Sequence, residues 1–211
     1  MTARTDDPAS TDATGDPGAR ERILAAASAL FQESGYEGTS VNRIARAARM
    51  TPAAIYWHFP SKQDVLAAVL TRMYERSYAE LKAAVRPEGS AIDRLGDYIR
   101  AYIRIQLADL GDRRNHSYSA LASSLTDEDQ RELGRLSRPY IELLREILRQ
   151  GIDDDVFHVD DVSATSYAIS TMCEYVFIWF RTGGRLSIEE AGDLHFELVL
   201  RMVDAASATS S

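Results

Sequence analysis

Tyr56-Trp57-His58 sets three large amphipathic side chains in a row, and Lys62 follows four residues later. Successive residues of a helix point about 100° apart, so these three cover most of a helix circumference and cannot all face a core. Those turned outward present a phenolic hydroxyl, an indole N–H or an imidazole N–H, and Lys62 adds an ammonium. Such groups hydrogen-bond phosphate oxygens. Just upstream, Thr51, Pro52 and Ala53 carry small groups that fit against thymine methyls, and the Thr51 hydroxyl can meet a base edge or a phosphate. Recognition of nucleic acid is the chemistry this cluster supports. Thr51 also reads simply as a helix cap, and His58 as a side chain packed between helices.

Catalytic chemistry finds less material. His58, His116, His158 and His195 are scattered, with no i, i+4 pair and no H-E-x-x-H spacing. No glycine-rich phosphate loop or G-x-S-x-G elbow occurs. The single cysteine, Cys173, excludes an intramolecular disulfide framework and a cysteine-based zinc site, and its apolar surroundings read as packing. Asp153-Asp154-Asp155 and Asp160-Asp161 lack the alternating ligands and the glycine of a calcium loop. The reading is a binding protein with no catalytic residues, no metal and no cofactor; a helical enzyme is the distant alternative.

The elements that must position these residues are all helical. Met1 to Ala19 is rich in Ala, Asp, Thr and Pro, which predicts a disordered tail, and the residues from about Ser207 read the same way. Ile23, Leu24, Ala27, Leu30 and Phe31 mark a first helix that ends before Gly35. Thr39 or Ser40 caps a second, with Val41, Ile44, Ala45 and Ala48 inward. Thr51-Pro52 opens a third, with Ile55 and Phe59 inward and a stop at Pro60. Ser61, with Asp64 three residues on, caps a fourth helix running to about Val85.

Beyond Pro87-Glu88-Gly89-Ser90 the pattern predicts helices over about Ala91–Leu110 and Asn115–Ser123, then a long one from Thr126 to Gly151. A further helix runs from Asp160 or Asp161 to Thr182, and Ser187 with Glu190 forms a capping box for the last, which reaches about Ala205. No useful strand alternation is present. The fold class is all-α with about nine helices: a three-helix helix-turn-helix domain over 20–66, then a helical-bundle ligand-binding and dimerisation domain over 67–206.

Net charge is −8, an odd balance for a nucleic-acid binder until it is located. Arg20, Arg22, Arg43, Arg46, Arg49 and Lys62 outnumber Glu21, Glu33, Glu37 and Asp64 between Arg20 and Leu66, whereas both flanking segments are acidic. Phosphate contact depends on the local field. Arg43, Arg46 and Arg49 read equally as a solvated face. No apolar run is long enough to span a bilayer, and the amino-terminal segment lacks the apolar core of a signal peptide, so a cytoplasmic protein without membrane contact is expected.

Ala54-Ile55-Tyr56-Trp57-His58-Phe59-Pro60-Ser61-Lys62 resembles the signature of the TetR family of repressors, and Ile23 to Phe31, Gly35 to Val41 and Ile44-Ala45 match that family in order and spacing. The resemblance implies a repressor that holds operator DNA with Thr39, Ser40, Asn42, Thr51, Pro52, Ala53, Tyr56, Trp57, His58 and Lys62. Pro52 departs from a pattern of backbone contacts, since it has no N–H to give a phosphate.

From Val162 to Phe180 the chain is apolar almost all round, which demands cover on every side. An interior face plus a subunit interface supplies it. With the last helix (Leu194, Phe196, Leu198, Val199, Met202) it forms, as the resemblance implies, a homodimer interface through the last two helices. Two-fold symmetry then matches a palindromic operator. Tyr98, Tyr102, Ile105, His116, Tyr118, Tyr140, Leu144, Met172 and Trp179 are the candidates for lining an effector pocket, each with a plain core role as the alternative.

Gln150-Gly151-Ile152, Val156-Phe157 and Trp179-Phe180-Arg181-Thr182-Gly183-Gly184-Arg185-Leu186-Ser187 resemble the tail of regulators of steroid-ring and acyl-CoA catabolism, which carry proline where Thr182 stands. That resemblance implies a small hydrophobic or acyl-CoA-type ligand as effector. A ligand-independent or activating DNA binder is the runner-up.

Overall fold

The computed structural model describes residues 17–108 and 121–204. They form eight α-helices and no strand among the described residues, and the chain divides into two compact units, Met1–Val69 and Leu70–Ser211.

In the first unit, α1 (Pro17–Ser34) buries Ile23, Leu24, Ala27 and Phe31 and ends at Gly35, whose φ of 71° lies in the left-handed region that favours glycine. It begins at Pro17, inside the segment read from sequence as a disordered tail. Proline at a first helical position loses no hydrogen bond, and Ala19 is buried, so packing extends the helix where composition predicted none. The short helices α2 (Val41–Ala48) and α3 (Pro52–His58) follow. Ser40 caps α2 by accepting the Arg43 N–H, and Thr51 caps α3 by accepting that of Ala54. Arg49, at φ 58°, makes the left-handed turn between them. α4 (Lys62–Ala84) opens with Ser61, which accepts the Asp64 N–H at 3.2 Å and donates to the Asp64 carboxylate at 2.6 Å.

The second unit contains α5 (Ala91–Ala108), α6 (Asp127–Asp153), α7 (Val162–Glu174) and α8 (Ile188–Met202). α5 is central and packs against α6, α7 and α8. Ala91, Leu95, Tyr98, Ile99, Ala101, Tyr102, Ile103 and Leu107 are all buried on it. Arg94 is buried too, and its guanidinium donates to Glu146 at 2.7 Å and Gln150 at 2.6 Å of α6. The expected helix over Asn115–Ser123 lies mostly outside the described residues.

α7 ends at Glu174, well short of the predicted Thr182. A 3₁₀ turn (Val176–Ile178) and Gly183 at φ 71° carry the chain onward. Aromatic and β-branched residues dominate Tyr175 to Phe180, a composition of low helix propensity. Leaving the helix lets Val176 and Phe180 enter the core while Tyr175, Ile178 and Trp179 face outward.

Gly151, in the last turn of α6, lies against Phe157, which is buried: a Cβ at position 151 would overlap the phenyl ring, and the helix runs past the expected stop at Gly151 to Asp153. Gly151→Ala is therefore expected to lower stability by about 1–3 kcal/mol, read as a drop in urea midpoint with unchanged slope. A second test concerns charge. Arg86 clamps Asp97 through contacts of 2.6 and 3.1 Å, and the hydrogen-bonded guanidinium holds the Asp97 carboxyl below its ordinary value of 3.8. A carboxyl that is more acidic when folded stabilises fully above its unfolded pKa and loses that contribution as pH falls through the folded one. The melting-temperature gap between wild type and Asp97→Asn is expected to be open at neutral pH and to close on acidification below 3.8.

Candidate functional site

The amino-terminal unit turns Ile55 and Phe59 of the α3 region inward and leaves Thr51, Pro52, Ala53, Tyr56 and Trp57 in solvent. Tyr56 is 52% and Trp57 56% exposed, unusual for rings of this size. His58 is half-buried, with the Trp57 ring edge-on at 4.7 Å. Ser40 and Asn42, at the start of α2, are exposed as well.

Two residues of the sequence-derived set have other work. Thr39 is only 1% exposed, and its hydroxyl lies 2.8 Å from the Gly35 carbonyl and 3.0 Å from that of Leu30. It ties the turn after α1 and presents no side chain to a ligand. Lys62 directs its ammonium at the carbonyls of Tyr36 (2.9 Å) and Thr39 (3.1 Å), over the Tyr36 ring at 3.8 Å. The sequence reading gave Lys62 to phosphate because it saw a cation near a helix start. Chain folding places the carbonyls of the α1–α2 turn nearer. Arg43 is also engaged within the unit, donating to the Gly38 carbonyl at 2.6 Å and to Ser34 Oγ at 3.2 Å. Arg46 and Arg49 are exposed.

In the carboxy-terminal unit, α4, α5, α6 and α7 enclose a cavity of ≈ 190 Å³. Tyr102, Ile105 and Tyr140 line it, as the sequence reading proposed. Tyr98 and Leu144 are instead fully buried behind it, Tyr98 donating its hydroxyl to the Tyr140 carbonyl at 3.2 Å. Met172 packs on the core, and Trp179 stacks on His195 with ring centroids 5.6 Å apart. Neither lines the cavity. Apart from the stripe Asp93, Arg100 and Arg104, α5 is buried, so residue type cannot show which of its buried positions meets open space. His116 and Tyr118 lie outside the described residues.

Sequence reasoning missed the α4 wall (Met73, Tyr74, Ser77) and the polar α7 wall (Ser170, Thr171, Glu174). The Tyr74 hydroxyl beside a helix that supplies Glu174 was legible only as another amphipathic residue. The tyrosines form a cluster: the Tyr140 ring lies 6.2 Å from Tyr74, 5.3 Å from Tyr78 and 5.8 Å from Tyr102. Burial pushes the Tyr74 hydroxyl up to about 12, with the Glu174 charge adding to it, and raises Tyr102 and Tyr140 as well. All three stay protonated at neutral pH and act as hydrogen-bonding groups. Burial likewise raises the Cys173 thiol to about 12, which leaves it unreactive.

A helix-turn-helix with an aromatic outer face, joined in sequence to a helical unit enclosing a small cavity, defines a class of DNA-binding regulators. The family described as bacterial regulatory proteins, tetR family, matches residues 23–69, and that described as tetracyclin repressor-like, C-terminal domain, matches residues 88–203. The chain belongs to the TetR family of DNA-binding transcriptional regulators, which are not enzymes. It is 25% identical over 201 residues to the HTH-type transcriptional repressor KstR2 of Rhodococcus jostii strain RHA1, covering 92% of this chain and 95% of that one. A tetR-family regulatory protein from Rhodococcus RHA1 superposes with a TM-score of 0.80 at 27% identity, over 91% of this chain and all of the other (100%). AibR, solved with isovaleryl coenzyme A and operator DNA, shares the fold at a TM-score of 0.72 and 24% identity, over 89% of this chain and 100% of that one. Among the described residues no helix is long and apolar enough to cross a membrane.

The assignment of Lys62 has a direct check. Lys62→Ala removes two charge-assisted bonds to the Tyr36 and Thr39 carbonyls at a half-buried position, and leaves the Tyr36 carbonyl with the Thr39 N–H alone. It is expected to cost the amino-terminal unit roughly 1–2 kcal/mol, measured by urea unfolding followed through Trp57 fluorescence in a Trp179→Phe background. Unaltered stability would return Lys62 to solvent and to the phosphate role.

Proposed function

We propose that this chain is a homodimeric repressor that grips a palindromic operator with α3 and the start of α2, and lets go when a small hydrophobic effector fills the cavity of the second unit. The exposed aromatic pair on α3 carries the reading. Tyr56 and Trp57 sit in water on a short helix whose amino-terminal end shows only Thr51, Pro52 and Ala53. Small groups at that end suit the floor of a major groove, and the aromatic polar tips suit the phosphates beside it. Ser40, Asn42 and His58 complete the contact set. Thr39 and Lys62 leave it, Lys62 acting as the strut beneath the α1–α2 turn. The working domains are 20–66 for DNA and 67–206 for effector and dimer, with 1–19 as a tail.

Tyr167, Tyr175, Ile178, Trp179, Leu198 and Met202 are large apolar residues exposed on α7, the 3₁₀ turn and α8. Their cover is a second copy of the chain, which makes the last two helices the dimer interface. Two-fold symmetry then spaces the α3 helices for half-sites about 34–36 Å apart. The cavity, at ≈ 190 Å³, admits a small acyl or ring group. A coenzyme A thioester, the ligand class seen in AibR, would leave its nucleotide outside. Effector binding favours the state with the lower DNA affinity, and release follows its preference between the two states. The cytoplasm, where the operator lies, is the place of action.

The test is a mobility-shift titration of the purified full chain on DNA from directly upstream of its own gene, followed by random-sequence selection. Salt-sensitive, competitor-resistant binding is expected, and Tyr56→Ala is expected to weaken it about tenfold on specific and nonspecific DNA alike. A Tyr56→Ala protein with wild-type affinity would remove the phosphate assignment; no selected site at all would remove the repressor reading.

A further inference from the structure

The tyrosine-framed cavity has a second compartment beside it. A cleft of ≈ 370 Å³ opens along α6 and the end of α7, and Tyr74, Ser137 and Glu174 border both spaces. Gln130 and Gly134 line the cleft on the α6 side, and Tyr175, 45% exposed, stands where it meets solvent. All of these residues belong to the second compact unit. The cavity alone, at ≈ 190 Å³, is small for an effector site, since ligand pockets commonly run to about 300–1,000 Å³. The cleft supplies the missing room.

A second observation is Gly134 itself. Glycine is among the least favourable residues inside a helix, and close packing explains it elsewhere in this unit. A Cβ would run into Phe196 and Arg100 at position 96, into Phe157 at position 151, and against the Arg100 backbone at position 192. At position 134 it would meet nothing within 4 Å. No neighbour requires glycine there; what the missing side chain leaves open is the wall of the cleft. That wall offers both kinds of hydrogen-bonding group. The Tyr74 and Tyr175 hydroxyls can donate. Ser137 Oγ, which donates to the Gly134 carbonyl at 2.8 Å, keeps its lone pairs, and Gln130, whose amide nitrogen donates to the Leu125 carbonyl at 3.1 Å, keeps its carbonyl oxygen. An amide group, with one N–H and one C=O, answers both.

We infer that the effector site has two compartments and takes an elongated molecule, with a compact head in the cavity and a flexible, amide-bearing arm in the cleft across Gly134. This rests on the reading of the cavity as the effector site. A compact molecule that fills the cavity alone leaves the cleft to water and forgoes the contacts of the arm. A pantetheine thioester belongs to the class: its acyl group is the head, and its arm carries two amides. Gly134 is then a specificity-determining position, because any side chain placed there takes up the room of the arm and none of the room of the head.

The test uses the full-length protein and three probes that share the isovaleryl head of the AibR ligand and differ in the arm: the S-methyl, N-acetylcysteamine and pantetheine thioesters. Calorimetric titration should show affinity rising with the arm, the pantetheine thioester binding about tenfold or more tighter than the S-methyl one. Gly134→Leu should abolish that gain, leave the S-methyl thioester unchanged and melt no lower than wild type, since leucine is the better helix former. Gly134→Ala, with a smaller side chain, should lose part of the gain. Equal affinity for the three probes in the wild type overturns the inference, as does a gain that survives in Gly134→Leu or failure of all three to bind at millimolar concentration. Operator release, read in parallel by mobility shift, judges the effector reading on its own. Probes that bind with the arm-dependent gain and leave DNA bound would sink that reading and keep this one; equally potent release by all three would do the reverse.

Discussion

Helix α5 keeps one narrow stripe for water, Asp93, Arg100 and Arg104, and the carboxy-terminal unit is arranged around the rest of its surface. So broad a buried surface needs neighbours on several sides, and α6, α7 and α8 supply them. Its polar groups must then find partners inside the protein: Arg94 takes Glu146 and Gln150, and the Tyr98 hydroxyl takes the Tyr140 carbonyl. Close approach is bought with glycine at one point, where Gly192 of α8 lies against the backbone of Arg100. The cavity beside α5 is framed in part by the rings of Tyr74, Tyr102, Tyr140 and Tyr167.

The amino-terminal unit solves the opposite problem. Its helices α2 and α3 are short and bury little by themselves, so the turns around them are held by directed bonds. Thr39 holds the carbonyls of Leu30 and Gly35, Lys62 those of Tyr36 and Thr39, and Arg43 that of Gly38. The cost is that cations which composition assigns to DNA are engaged within the fold. The exposed rings of Tyr56 and Trp57, with Arg46, Arg49 and the exposed small and polar residues Ser40, Asn42, Thr51, Pro52 and Ala53, face solvent.

The two ends of the proposed switch therefore differ in chemistry. One is a small polar-aromatic surface suited to phosphates and groove floors. The other is a tyrosine-framed space whose only charged wall residue among those described is Glu174. A ligand acts on DNA binding only through its preference between states, so in the proposed switch the chemistry of the cavity sets which effector is preferred.

Much of this architecture was legible in the residues alone. Helix periods, the caps at Ser40, Thr51, Ser61 and Ser187, and the Tyr-Trp-His run are local features, set by neighbours in the chain, and they identified an all-α regulator of the TetR family. Whatever depends on which distant groups meet in space was not. Pro17 to Ala19 became helical because α1 buries Ala19, and α7 stopped at Glu174 because Val176 and Phe180 had core sites to fill. Lys62 turned to carbonyls more than twenty residues away in sequence, and Tyr74, Ser77, Ser137 and Glu174 came together from three helices. Sequence determines propensity and period; tertiary packing alone decides which lone pair faces which proton, because that depends on contacts between residues far apart in the chain.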